Sequence, residues 1–166
     1  MQSSNVEMAG KYQVTCRMPN GQIRWQSPAK NLIVNAGLAY MSTVSLANAT
    51  KVYPWYLGVT AGTPAPAAGD TMASHTGWTE VSAYTQESRP AYVATASGLA
   101  VANVTAATFT ISSQATTVGG VFLSSSATKG STSGTLFSVA ALSGGNQVAN
   151  IGDAISVTYT MTPSAT

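Results

Sequence analysis

From residue 11 the chain alternates strictly, with Tyr12, Val14, Cys16 and Met18 apolar and Lys11, Gln13, Thr15 and Arg17 polar. A period of two turns successive side chains to opposite faces, so this stretch reads as a half-buried strand. Pro19-Asn20-Gly21 is a turn, and Ile23 and Trp25 resume the alternation. Residues 10–27 are therefore predicted to form an N-terminal β-hairpin. A two-residue loop at Asn20-Gly21 sets Met18 opposite Ile23 and Cys16 opposite Trp25, which keeps the apolar face whole. The same register stacks Arg17 on Arg24 across the polar face, with Lys11 further along it. Like charges directly opposite one another weaken a ladder, so this basic stripe breaks a local rule.

Residues 1–9 carry no such pattern and are expected to be a flexible arm. Asn35 is placed to cap a short helix over residues 35–48, with Leu38, Met41, Val44 and Tyr40 as its apolar stripe. Strands are predicted at residues 55–60, 79–84, 91–96, 105–112, 118–124, 134–142 and 154–161. A Gly/Pro/Ala loop over 61–69 and one helical turn over 70–75 separate the first two. Residues 124–134, rich in Ser, Thr and Gly, read as an exposed hairpin loop. Short Thr- and Val-rich strands punctuated by turns indicate a mainly β chain of one domain. The expected body, over 52–162, is an antiparallel β-sandwich of jelly-roll-like form.

Composition narrows the function. Only 12 of 166 residues are charged, far below the quarter or so usual in a soluble domain. Five of the seven basic residues (Lys11, Arg17, Arg24, Lys30, Lys51) precede residue 52, where Glu7 is the only acid. A surface of Ser, Thr, Ala and Gly suits a protein packed against other subunits, and self-association as a dimer or trimer is expected. A formal charge of +2 is too small for the dense basic face that nucleic acid requires. No apolar run approaches the roughly 18 residues of a membrane span, and residues 1–10 do not read as a secretion signal.

Catalytic chemistry is not expected, and no catalytic, cofactor or metal residue is assigned. Ser74, His75 and Asp70 lie too near one another in sequence for an assembled triad, and no Gly-x-Ser-x-Gly elbow occurs. Glu80 and Glu87 flank a turn and read as solvent-facing. Cys16, in phase with Tyr12 and Val14, reads as a small buried hydrophobe. Among the aromatics, Trp55 shares a strand face with Leu57 and Val59 and is assigned to the core. Tyr53, Tyr56 and Trp78 are the candidate exposed rings, fit for sugar stacking or an interface.

The segments Asn31-Leu-Ile-Val-Asn-Ala-Gly-Leu38, Trp55-Tyr-Leu-Gly-Val-Thr60, Ala68-Gly-Asp-Thr-Met-Ala-Ser-His75, Gly77-Trp-Thr-Glu80 and Gly119-Gly-Val-Phe-Leu123 occur in this order. With them, residues 10–162 resemble small virion structural proteins of tailed bacteriophages, most of all capsid decoration (cement) proteins. The resemblance implies many copies on the virion, assembled in the host cytoplasm, with the major capsid protein as partner. It carries no residue-level binding motif. The pattern of charge supplies one: Lys11, Arg17, Arg24 and Lys30 are the candidate capsid-facing residues. The other reading is a tail, neck or fibre component that recognises host glycans through the exposed aromatics.

Overall fold

Burial follows the alternation closely where it is strict. The computed structural model describes residues 6–165, and in it Tyr12, Val14, Cys16, Ile155, Val157 and Tyr159 all point inward, each at most 1% exposed. In chain order the elements are β1 (Val6–Arg17), β2 (Ile23–Lys30), β3 (Leu32–Ile33), α1 (Asn35–Leu46), β4 (Trp55–Thr60), β5 (Ala91–Tyr92) and β6 (Ala94–Ser97). They continue with β7 (Ala100–Asn103), β8 (Ala107–Thr110), β9 (Thr116–Val118), β10 (Gly120–Ser124), β11 (Leu136–Ala141), β12 (Gln147–Ala149) and β13 (Ala154–Ala165).

Two antiparallel sheets form a β-sandwich. The first runs β2-β1-β13-β7-β6, with β8 also on β13; the second runs β3-β11-β10-β4-β5; β9 and β12 make a small third pair. The inner faces meet in one core, Tyr12, Val14, Cys16, Val157 and Tyr159 against Leu57, Val59, Val121, Leu123 and Phe137. Tyr12 and Tyr159 stack at 4.3 Å, and the Tyr12 hydroxyl reaches Ser138 Oγ of the opposite sheet at 2.6 Å. Both faces of the second sheet are covered. Its outer side holds a smaller core of Val34, Met72, Trp78, Phe122, Leu136 and Val139. That is why β10 is buried at every position rather than at alternate ones.

Several expectations are corrected. Residues 6–9 are not an arm but the start of β1, paired with the end of β13; residues 1–5 lie outside the described residues. Residues 79–84 make only isolated bridges, Thr60–Glu80 and Tyr84–Ile111. Val81 and Tyr84 are buried one by one there, while Glu80 is drawn into an ion pair. Residues 70–75 form turns rather than a helical turn, because the Ala67 amide donates to Asp70 Oδ2 and the Thr71 amide to the Ser74 carbonyl. The strand over 91–96 is divided: β5 joins the second sheet and β6 the first, so the chain changes sheets at Val93. Strands β7 and β12 were not legible in the sequence.

Helix α1 begins at Asn35, with Val34 rather than Asn35 as its cap and no side-chain cap bond. The first amides are met from elsewhere in the fold: Val34 donates to the Phe137 carbonyl and Asn35 to that of Ala68. Gly37 is the one buried residue of the helix. A Cβ there would collide with the Phe137 carbonyl, so glycine is what lets the helix lie against β11. Leu38, expected in the apolar stripe, is 40% exposed.

Candidate interaction surface

The outer face of the first sheet is built from the polar half of the alternation. β1 contributes Lys11, Gln13, Thr15 and Arg17, and β13 sets Thr160, Thr158, Ser156 and Ala154 beside them. β2 adds Lys30, Pro28 and Gln26 opposite Lys11, Gln13 and Thr15, and Gln26 Nε2 donates to Thr15 Oγ1 at 3.1 Å. The result is a hydroxyl- and amide-rich face with cations at its two ends. Lys11, Lys30 and Arg17 are exposed. Lys11 stands directly opposite Lys30, a like-charge pair that sequence reasoning missed.

Arg24 does not belong to this stripe. Cys16 does pair with Trp25, but Arg17 pairs with Ile23, and the bulge between them leaves Arg24 without a cross-strand partner. A bulge of this kind re-aims a side chain. Arg24 reaches buried Asp153, with Nε 2.5 Å from Oδ2 and Nη2 3.3 Å from Oδ1. The Asn150 amide also donates to Asp153 Oδ2, at 2.7 Å, and the Cys16 thiol lies 3.8 Å away. Burial pushes the Asp153 carboxyl up, but the Arg24 and Asn150 hydrogen bonds outweigh it and hold the group below the usual carboxylate range. The same bond to Asp153 raises Arg24 further above its ordinary value. Burial, with the Asp153 charge, pushes the Cys16 thiol up to about 12. A thiolate is therefore suppressed at neutral pH, in keeping with a packing role.

A second ion pair, also missed, lies under the 125–134 loop. Arg89, 1% exposed, forms a bidentate pair with Glu80 (Nε–Oε1 2.8 Å, Nη2–Oε2 2.7 Å) and donates to the carbonyls of Ser126 and Ser131. The Gly130 amide donates to Glu80 Oε2. Glu80 is thus not solvent-facing but the anchor of the loop that the sequence marks as an exposed hairpin connection. The conspicuous sequence signal was Arg89 itself, since a cation in a weakly charged chain with Pro90 behind it invites the search for an acid.

The candidate aromatics separate. Tyr53 is 59% exposed, with Lys51 Nζ 5.6 Å from its ring centre. It stands at the mouth of an apolar groove of about 390 Å³ lined by Tyr40, Met41, Trp55 and Met161. Tyr56 is half-buried, and Trp55 is in the core as expected. Trp78 is not an exposed platform: it is 7% exposed, stacked on His75 at 3.6 Å and on Phe122 at 5.1 Å. Burial lowers the pKa of His75, opposed by the charge of Asp70. None of the hydrogen bonds among the described residues joins Ser74, His75 and Asp70; Ser74 and Asp70 bond instead within their own turns. No His, Cys, Asp or Glu cluster of metal-binding form occurs among the described residues, and no helix there is long and apolar enough to cross a membrane.

No family model matches the chain, and no curated protein matches it.

Proposed function

We propose that this chain is a virion structural protein of a tailed bacteriophage, attached to the outside of the capsid, where it bridges major capsid protein subunits and stabilises the shell. The observation that carries the reading is the outer face of the first sheet. Lys11 and Lys30 face each other there with Arg17 at the far end, and no acid of the described residues forms an ion pair with any of the three. Such a pair is destabilising in isolation and becomes favourable against carboxylates of a partner. The surrounding Thr, Ser and Gln side chains offer hydrogen bonds without the desolvation cost of further charge. Each copy gains little alone, and contact with neighbouring subunits at once multiplies it. The sequence resemblance supplies the identity of the partner.

Bare expanded capsids mixed with the purified chain test the proposal. Wild-type occupancy should fall as salt rises from about 0.1 M to 1 M, as screening shortens from about 10 Å to 3 Å. The variant Lys11→Glu/Lys30→Glu should fold normally and fail to decorate. Full occupancy by that variant at every salt concentration would dismiss the basic face as the attachment surface.

The fibre reading retains one observation, exposed Tyr53 beside its groove. Copy number per particle separates the two: hundreds for a capsid protein, a dozen or fewer for a tail component.

A further inference from the structure

Strands β1 and β13 outrun their neighbours. They pair with each other from Arg17–Ala154 to Val6–Ala165, but β2 leaves β1 at Lys11 and β7 leaves β13 at Met161. Residues 6–9 and 162–165 therefore form a two-stranded ribbon whose edges meet no further strand among the described residues. The antiparallel ladder decides which backbone groups face each edge. The Asn31 amide donates to the Gly10 carbonyl, so even-numbered residues of β1 turn their N–H and C=O groups toward the β2 side. Val6 and Met8 do the same with nothing beside them among the described residues. On the other strand the Tyr159 amide donates to Asn103 Oδ1, so odd-numbered residues of β13 face the β7 side. The next of these beyond Met161 is Pro163, which has no N–H to offer. The outer edge of β2 is closed in the same way by Pro28, whose carbonyl is taken by the Ser143 amide. Proline on an edge strand prevents further pairing. The β1 edge from Val6 to Ala9 carries no such block.

This open edge is also amphipathic. Val6, Met8, Pro163 and Ala165 share the face that continues the core, and Val6 is 68% exposed. Glu7 and Ala9 lie on the opposite face. Glu7 is exposed and belongs to neither ion pair of the described residues.

We propose that two copies of the chain join along this edge by antiparallel strand pairing about a two-fold axis through Met8, making one sheet continuous across both. Asn31 covers Gly10, so the space left by β2 spans residues 6–9, and a symmetric pairing centred on Met8 sets residues 7–9 of the two copies side by side. Met8 then stands opposite Met8 and Glu7 opposite Ala9, and the two strands part before Gly10, whose carbonyl already accepts from the Asn31 amide. Centring on Glu7 would instead oppose two carboxylates. The Met8 register sets Glu7 diagonal to Lys11 of the partner subunit, within reach of a long side chain, and the symmetry repeats this contact. Backbone hydrogen bonds supply the attraction, and the shared apolar face of Val6 and Met8 is buried with them. The inference does not depend on the virion reading and is tested on the purified protein alone.

Light scattering after size exclusion should give twice the 16.9 kDa chain mass. Met8→Pro, which removes the outward N–H at the centre, should return the protein to a monomer with its far-UV circular dichroism unchanged. Met8→Cys should form a cross-linked dimer on mild oxidation, since a hydrogen-bonded pair brings Cα atoms to about 5.5 Å, inside disulfide range. Ala9→Cys, offset from its own mate by two residues, should not. Glu7→Lys should weaken the dimer and Glu7→Lys/Lys11→Glu should restore it. A wild-type protein monomeric at every concentration, a dimer undiminished by Met8→Pro, or equal cross-linking at positions 8 and 9 would overturn the proposal.

Discussion

Two buried carboxylates hold chain segments whose composition alone would leave them loose. Glu80 sits under the 125–134 loop and takes both arms of Arg89 together with the Gly130 amide. Removing one partner of a pair buried this deeply leaves the other uncompensated, which costs about 3–5 kcal/mol. Glu80→Ala should therefore lower stability by that order in a denaturant titration, with Glu87→Ala near neutral as the comparison. Asp153 shows its effect through pH. Its carboxyl is held below the usual value of 3.8 in the fold, so its stabilising contribution is complete above that value. The contribution is lost as pH falls through the lower folded value. Thermal melts of Asp153→Asn should show a lower melting temperature at neutral pH and a shallower decline in acid than wild type; an unchanged acid limb would contradict the assignment.

At the scale of elements, glycine and a bulge decide what packs where. Tyr40 and Met41 of α1 pack on the core while Leu38 and Leu46 are exposed, so its apolar contact is narrow; the helix is also held at its first turn by amide bonds to Phe137 and Ala68 and by the close approach at Gly37. Gly37→Ala should cost about 1–3 kcal/mol through forced displacement of the helix. It should also reduce the helical part of the circular dichroism while leaving the β signal intact. In the hairpin, the bulge at Arg17/Arg24 converts a repulsive pair into one exposed cation and one half-buried ion pair. The alternation of 11–18 could not reveal this, because the reason for the bulge is Asp153, more than a hundred residues away. Glu80 meets Arg89 only nine residues on, yet its role is no more readable: alternation reports which face a residue takes, not which charge it meets.

For the whole molecule, scarcity of charge is the governing fact. Four of the 12 charged residues are consumed in the ion pairs of Arg24–Asp153 and Arg89–Glu80. What remains exposed on the outer face of the first sheet is nearly all cationic. The salt dependence expected for capsid attachment follows from this arrangement: weakly paired surface charges act through a partner and are screened with it. An open strand edge and a polar sheet face also lie on different sides of the same strand, β1. Pairing between copies along the edge would draw on Lys11 and leave Lys30 and Arg17 of that face clear for the proposed shell contact.

The sequence by itself determined the inward faces of β1, β4 and β13, the hairpin, the strand from Trp55 to Thr60 and the mainly β class. Strict alternation across several residues has only one way to bury its apolar half. It also placed Trp55 and Cys16 in the core and Tyr53 at the surface. Tertiary structure alone decided the rest. It split the 91–96 strand between two sheets, dissolved the 79–84 strand into single docked side chains, and buried Trp78 beneath a loop. It turned Arg24 away from Arg17, and it carried β1 back to Val6. Most of these depend on a partner far away in the chain, such as Asp153, Phe122 or the end of β13, and local periodicity holds no information about which group a side chain will meet.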